Sequence, residues 1–372
     1  MKATRPIRII TTLSVAIIFF SAFSWLALGH VSGSLSRIDV FGGLKSRPQK
    51  TSTALNYLLV GSDTRVGLTP AQLKLLRVGS TKSAAGARSD TMLLVHISKA
   101  RDKAMIISIP RDSLVTVPAH LGMDGKSQAP ESQAKINAAF AWGGAPLLIQ
   151  TFEAKSNLHI DHYLEINFAG FAGIVDSIGG IEVCTKRDIN DPKSHLVLSA
   201  GIHTLDGVEA LKYVRTRDFD GMGDLGRMQR QQQFMSAVLR KATSSGVLLN
   251  PLKLVSFFNA AISSIKTDSS LNQSDLLTLV KQMKNLSPGK VRTLTIPLGN
   301  SNASVPGLGS VVTWDPVLAP ELFQRLRDDL PIVDVVTATP SPSSSAAAKA
   351  KTTVVDKFKT RTAAENPCGS LK

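Results

Sequence analysis

Only two cysteines, Cys184 and Cys368, occur in the 372 residues. Neither has histidine neighbours at metal-ligand spacing, which argues against a zinc site. His96, His159, His162 and His203 are scattered and form no ligand set. The chain lacks a G-x-S-x-G elbow and a P-loop, and no serine stands in a nucleophile context, which excludes the common serine-hydrolase and nucleotide-binding signatures. It has no internal repeat and no lipobox cysteine. Acids are the minority: 28 Asp plus Glu against 43 Lys plus Arg leave a formal net charge of +15. That balance alone suits nucleic acid or an anionic membrane surface.

The N-terminus weighs against nucleic acid. Ile9 to Leu28 is a charge-free run of about 20 residues, enough to cross a hydrocarbon core. Lys2, Arg5 and Arg8 precede it. The positive-inside rule therefore places residues 1–8 in the cytoplasm, a single transmembrane helix at 9–28, and the remainder outside the cell membrane. The rival is a cleaved signal peptide ending at Ala27-Leu28-Gly29, for which the run is long. Either way the functional part is extracytoplasmic. Two cysteines fit an oxidising compartment. A Cys184–Cys368 bridge would stabilise by roughly 5 kcal/mol in the chain-entropy model; two free buried thiols are the alternative.

Residues 29–52 read as a spacer rich in Gly, Ser, Lys and Arg. The folded part spans 53–335. Val336 to Lys351 is a low-complexity linker that cannot bury a core, and 352–372 is a tail expected to fold back, pinned by its cysteine. Apolar runs predict strands at Asn56–Val60, Thr91–Ile97, Ala104–Ile109, Tyr163–Ile166 and Val291–Ile296, with a hairpin turn over Ser98–Lys103. Helices are predicted from Lys135 onward, from Pro146 to about Ala154, from an Asn167 cap to Gly179-Gly180, over Leu225–Lys241, and near 251–265, 275–285 and 320–328. The fold class is α/β or α+β, with a mixed central sheet between helices.

Charged residues gather at strand ends. Asp63 follows the first strand, Arg88 and Asp90 open the second, and Arg111 and Asp112 follow the third. If the second strand is antiparallel to both neighbours, these lie on one sheet edge. Asp63 and Asp90 then either hold a Mg²⁺ that bridges phosphate oxygens or pair structurally with Arg88 and Arg111. A second group lies in Tyr213–Phe234. Arg215 and Arg217, two apart, read as neighbours on one face of a strand. Arg227 and Gln231, four apart, share a helix face, with Asp224 as N-cap. Asp218, Asp220 and Asp224 lack the glycine and glutamate of a calcium loop and read as turn and cap residues. Arginine forks suit a diphosphate. Lys135, at a helix start, adds a cation or is merely solvated.

The blocks N-Y-L-L-V-G-S-D-T-R, G-A-R-S-D-T-M-L-L, S-I-P-R-D-S, K-I-N-A-A-F, G-F-A-G-I-V-D-S-I-G-G-I-E-V, H-T-L-D-G-V-E-A-L-K-Y-V-R-T-R-D and G-R-M-Q-R-Q-Q-Q-F follow in that order. Together they resemble the LytR-CpsA-Psr family of cell-wall transferases, and the alanine-rich linker and cysteine tail resemble its actinobacterial members. The resemblance implies a phosphotransferase that moves a glycopolymer, arabinogalactan or teichoic-acid-like, from a polyprenyl-pyrophosphate carrier onto peptidoglycan as a phosphodiester. It implies Mg²⁺ or Mn²⁺ on Asp63 and Asp90. Pyrophosphate contacts are implied for Arg88, Arg111, Lys135, Arg215, Arg217, Arg227 and Gln231, with Asp63, Asp90, Arg88, Arg111 and Arg217 catalytic. Partners are then the lipid-linked glycan, peptidoglycan and membrane lipid, not nucleic acid. The helices Phe168–Ile178 and Phe234–Leu239 either wall a slot for the lipid tail or form ordinary core. Asp63 and Asp112 are the two candidates for a general base. A lipid pyrophosphatase and a non-catalytic lipid-binding module are the alternative activities.

Overall fold

The computed structural model describes residues 36–65, 68–79, 89–122, 124–217, 221, 223–244, 265–272, 275, 278, 286–337 and 352–365. Among these no helix is long and apolar enough to cross a membrane. Ile9–Leu28, Arg88 and Cys368 lie outside them, as do nearly all of the helices expected near 251–265 and 275–285.

An eight-stranded mixed sheet organises the chain. Its strands are β1 (Ser36–Ile38), β2 (Leu55–Ser62), β3 (Ser89–Ile97) and β4 (Ala104–Ile109), then β7 (His162–Ile166), β10 (Ile265–Asp268), β11 (Val291–Thr295) and β14 (Arg361–Thr362). They run in the order β1-β10-β7-β2-β3-β4-β11-β14; outside the sheet β5 (Leu114–Val117) pairs with β6 (Ser132–Lys135), β8 (Ile181–Thr185) with β9 (Gly201–Leu205) and β12 (Leu298–Val305) with β13 (Gly309–Trp314), and helix α1 (Pro70–Leu76) lies between β2 and β3 in the chain. Every residue of β4 is buried, as expected of a strand covered on both faces. On one face Leu58, Val60, Leu94 and Ile107 pack under helices α2 (Ile136–Ser156) and α6 (Leu318–Arg327). On the other, Tyr57, Leu93 and Ile106 pack with Met235 and Leu239 of helix α5 (Gly223–Ser244).

Local chemistry sets the element ends. Helix α2 is broken by non-helical Gly143 and Gly144, so the two helices expected from Lys135 and Pro146 form one kinked element. Helix α3 (Phe168–Ser177) starts where the Asn167 side chain accepts the Gly170 N–H. It stops before Gly179 and Gly180, both at positive φ, a conformation glycine adopts without a Cβ penalty. Helix α4 (Gly207–Arg215) starts at an Asp206–Glu209 capping box. Its first residue lies so close to α3 that a Cβ there would meet the Ala172 carbonyl oxygen at 2.3 Å.

Residues 36–52 are part of the fold, not a spacer. β1 pairs parallel with β10, and Val40 is completely buried in the core. Arg47 donates to both oxygens of Glu153, at 3.0 and 2.6 Å, and to the Ile160 carbonyl. Glu153 also accepts the Ile160 N–H at 2.8 Å, and its side chain is 3% exposed. Removing one partner of a buried pair strands the other charge, at a cost of about 3–5 kcal/mol. The partial exposure of Arg47 places Arg47→Ala near the low end, about 3 kcal/mol or a fall in Tm of roughly 5–10 °C. A thermal melt at neutral pH checks this; an unchanged Tm would return 36–52 to spacer status. The tail also returns to the domain: β14 pairs antiparallel with β11, and Phe358 and Ala363 are buried.

The buried end of β10 makes stability pH-dependent. Burial opposes ionisation of Asp268, but hydrogen bonds from His162, Ser270 and the Tyr163 N–H outweigh it and lower its pKa. A carboxyl with a lowered folded pKa stabilises fully above its unfolded value near 3.9, and that contribution is lost as pH falls through the folded pKa. Denaturant titrations between pH 5 and pH 2 should therefore show the wild type losing stability with acid. Asp268→Asn should be less stable at pH 5 and show a shallower acid slope.

Candidate active site

The strand pairing confirms one shared edge. β3 is antiparallel to both β2 and β4, so the end of β2, the start of β3 and the end of β4 lie together. β7, parallel to β2, also ends there. Asp63 follows Ser62, which pairs with Ser89, while Gly61 pairs with Thr91. That register slip leaves Asp90 as the extra residue of a β-bulge, a device that re-aims side chains and is frequent beside active sites. Asp63, just past the end of β2, and Asp90, near the start of β3, thus lie at the same edge. Two carboxylates are the donor chemistry of a small hard cation that keeps water and substrate oxygens as its other ligands. Among the described residues no group of three or more His, Cys, Asp or Glu side chains could hold a metal ion.

The cations converge through two carboxylates. Asp224 Oδ1 lies 2.7 Å from Arg227 Nη2, 3.7 Å from Arg111 Nε and 3.9 Å from Arg217 Nε. Asp112 joins Arg111, at 3.5 Å, to Lys135, at 3.2 Å. Lys135 is the N-cap residue of α2. Asp224 is not an N-cap: α5 begins at Gly223, so Asp224 occupies the first turn, where the helix dipole favours an acid. Arg215 and Arg217 are not on a strand either. Arg215 ends α4 and Thr216 is its C-cap. Buried Ala210, Leu211, Tyr213 and Val214 recur at helical spacing after the capping box, which outweighs the strand preference of Tyr and Val. The two arginines still reach one place: both line one cavity. Arg227 and Gln231 share a face of α5, as their spacing requires. Gln231 donates to Thr91 Oγ1 at 2.9 Å and to the Val214 carbonyl at 3.2 Å.

Part of this cluster lines a cavity of about 420 Å³; Asp63, Asp112, Asp224, Arg111 and Lys135 are not among its lining residues. Arg215, Arg217, Arg227, Gln231 and Lys193 line it together with Ser62 and Thr91, the chain neighbours of Asp63 and Asp90. Its body is apolar. Leu59, Leu93 and Leu164 come from the sheet, Phe171, Ile174 and Ile178 from α3 and its end, and Phe234, Met235 and Val238 from α5. The Arg215 guanidinium lies 5.2 Å from the centre of the Phe168 ring at the boundary between the two zones, a cation–π contact.

Sequence reasoning missed two acids here. One is Asp224 as the common partner of three arginines; its position three residues before Arg227 was the available signal. The other is Asp191, 1% exposed, on a hairpin of Ile189–Asp191 with Leu196–Leu198. Its Oδ2 accepts the Arg217 N–H at 2.7 Å. Cys184 is buried on strand β8 (Ile181–Thr185), and no described cysteine is a free thiol; pairing with Cys368 stays an expectation, since Cys368 lies outside the described residues.

Residues 35–311 match the LytR_cpsA_psr family. The chain is 38% identical over 294 residues to the probable cell wall biosynthesis protein LcpB of Corynebacterium glutamicum, covering 79% of this chain and 65% of that protein. It is 30% identical to cell wall biosynthesis protein LcpA of the same organism, covering 82% of this chain and 62% of the relative. The chain therefore spans less than two thirds of the length of either. Among solved structures, Bacillus subtilis TagT superposes with a TM-score of 0.52 at 26% identity, covering 80% of this chain and 99% of that one.

Proposed function

We propose, from the premise that this chain belongs to the LytR-CpsA-Psr family, that it transfers a glycopolymer from a polyprenyl-pyrophosphate carrier to peptidoglycan as a phosphodiester. The observation that carries the reading is the two-zone cavity: an apolar body opening on arginines at the sheet edge that bears Asp63 and Asp90. A relative from Bacillus subtilis, 39% identical over 164 residues, is named a polyisoprenyl-teichoic acid–peptidoglycan teichoic acid transferase, and a TagT structure is described as bound to LI-WTA. A polyisoprenyl-linked donor, as in the first description, fits a cavity with an apolar body and a cationic end.

The residues divide the work by zone. The apolar walls bind the tail, worth about 0.8 kcal/mol per buried CH₂. Arg215, Arg217, Arg227 and Gln231 hold the diphosphate, with Arg111 and Lys135 joined to them through Asp224 and Asp112. A sugar hydroxyl of the acceptor attacks the glycan-linked phosphorus, the P–O bond to the bridging oxygen breaks, and polyprenyl phosphate leaves. The guanidiniums offset the charge that grows on the leaving phosphate. Asp63 and Asp90 are the residues that would hold Mg²⁺ or Mn²⁺, which supplies further neutralisation of phosphate charge. Asp112 lies between Arg111 and Lys135, whereas Asp63 would be a ligand of the metal. Either carboxylate, or positioning alone, then assists the hydroxyl. The diphosphate lipid belongs to a membrane, which agrees with a single N-terminal anchor at 9–28 and an extracytoplasmic domain.

The test is a transfer assay with the full chain in detergent, Mg²⁺, a polyprenyl-pyrophosphate glycan and a peptidoglycan fragment. The expected product is the joined glycan. Loss of the lipid diphosphate without joining would make the protein a phosphatase, and tight binding without turnover would make it a carrier module.

A further inference from the structure

Lys193 lines the cavity but has no role in the mechanism proposed above. Lys193 and Ser194 sit in the turn of the Ile189–Leu198 hairpin and line the cavity together with Arg215, Arg217 and Arg227. The turn is fixed by Asp191, whose Oδ1 accepts the Lys193 N–H at 2.8 Å and the Ser194 N–H at 3.4 Å. Such an Asx turn is common and by itself structural. What distinguishes this one is the other oxygen, which accepts the Arg217 N–H from a segment 26 residues away.

A second tie runs beside it. Ser194 Oγ lies 3.0 Å from Thr216 Oγ1, which donates to the Lys212 carbonyl at 2.9 Å, and the Arg230 guanidinium donates to the Thr216 carbonyl. Thr216 is completely buried and Arg230 is 6% exposed, so the knot is shielded from water. Burial opposes ionisation of Asp191, but the N–H groups of Arg217, Lys193 and Ser194 outweigh it and hold the carboxyl below its usual range. Its charge is thereby spent on backbone donors.

We infer that Lys193 is a further head-group cation of this site, and that Asp191 is the positioning residue that holds Lys193 and Arg217 at one mouth. The inference rests on the diphosphate reading above. Arg215 and Arg227, from α4 and α5, line the same cavity. Lys193, a compact point charge on a flexible stem, adds a cation from the hairpin segment next to Arg217. A diphosphate held by cations from three separate segments is oriented as well as neutralised, which matters when only one of its two phosphorus atoms is to be attacked.

Binding of a short-chain prenyl diphosphate and of the matching uncharged prenol, each titrated into the full chain in detergent, tests it. Lys193→Gln should weaken diphosphate binding about tenfold, the loss of one charge-assisted contact, and leave prenol binding unchanged. Lys193→Arg should keep near wild-type affinity. Asp191→Asn should weaken the diphosphate at least as much as Lys193→Gln. The double variant should fall short of the summed losses, because Asp191 acts partly through Lys193. Lys193 is exposed, so its variants report even if Asp191→Asn fails to fold. Unchanged diphosphate affinity in Lys193→Gln overturns the inference. So does equal loss of prenol and diphosphate binding in Asp191→Asn, which would mark a structural role only. Wild-type protein that binds both ligands alike removes the diphosphate reading itself, and this inference with it.

Discussion

Arg217→Ala should lower the rate of glycan transfer by about 10²–10³-fold, the usual loss on removing one preorganised donor to developing charge. Its Tm should stay within about 2 °C of wild type. The two halves have separate origins. The side chain lies at the cavity mouth, 30% exposed, with Nε 3.9 Å from Asp224, so its loss leaves no hole in the core. The residue's structural duty is carried by its backbone N–H, which binds Asp191 at 2.7 Å and survives the substitution. Arg217→Lys should recover part of the rate only, since a point charge cannot reproduce a bidentate fork. Asp90→Ala, at the β-bulge, should cost a comparable factor if that carboxylate serves the same head group. Single-turnover rates beside a melt check both, and wild-type rates in both would dissolve the assigned site.

The rate loss rests on convergence, and convergence was legible in the sequence only in part. The hairpin between β3 and β4 could be read from the mostly polar stretch Ser98–Lys103 between two apolar runs, and it forces three strand ends onto one edge. Arg227 and Gln231 could be read from helical spacing. Arg215 and Arg217 could not be placed, because Tyr-Val-Arg-Thr-Arg alternates like a strand. The signal that settles it lies upstream, in the Asp206–Glu209 capping box. Residues 36–52 looked like a spacer because their composition is polar. Their anchoring depends on Glu153 and Asp161, partners about a hundred residues away that no local pattern reveals. Asp191 was invisible for the same reason: its function is to accept hydrogen bonds from a remote backbone.

The apolar zone gives the other large expected effect. Leu164→Trp, on β7 where its side chain lines the cavity, should weaken binding of a long-chain polyprenyl diphosphate about a hundredfold. It should leave a prenyl diphosphate too short to reach Leu164 close to its wild-type affinity. The indole takes space from the tail, and expelling three or four methylenes at about 0.8 kcal/mol each costs about 2.4–3.2 kcal/mol, or roughly two decades in affinity. The fold should tolerate the change, because the cavity of about 420 Å³ already adjoins Leu164 and a side chain growing into empty space avoids the strain of overpacking. If the cavity were only a packing defect of the core, filling it would raise stability and leave both ligands unaffected. The chain-length dependence of the loss therefore separates a lipid slot from a void: a head-group site with no slot predicts equal affinities for long and short ligands in wild type and variant alike.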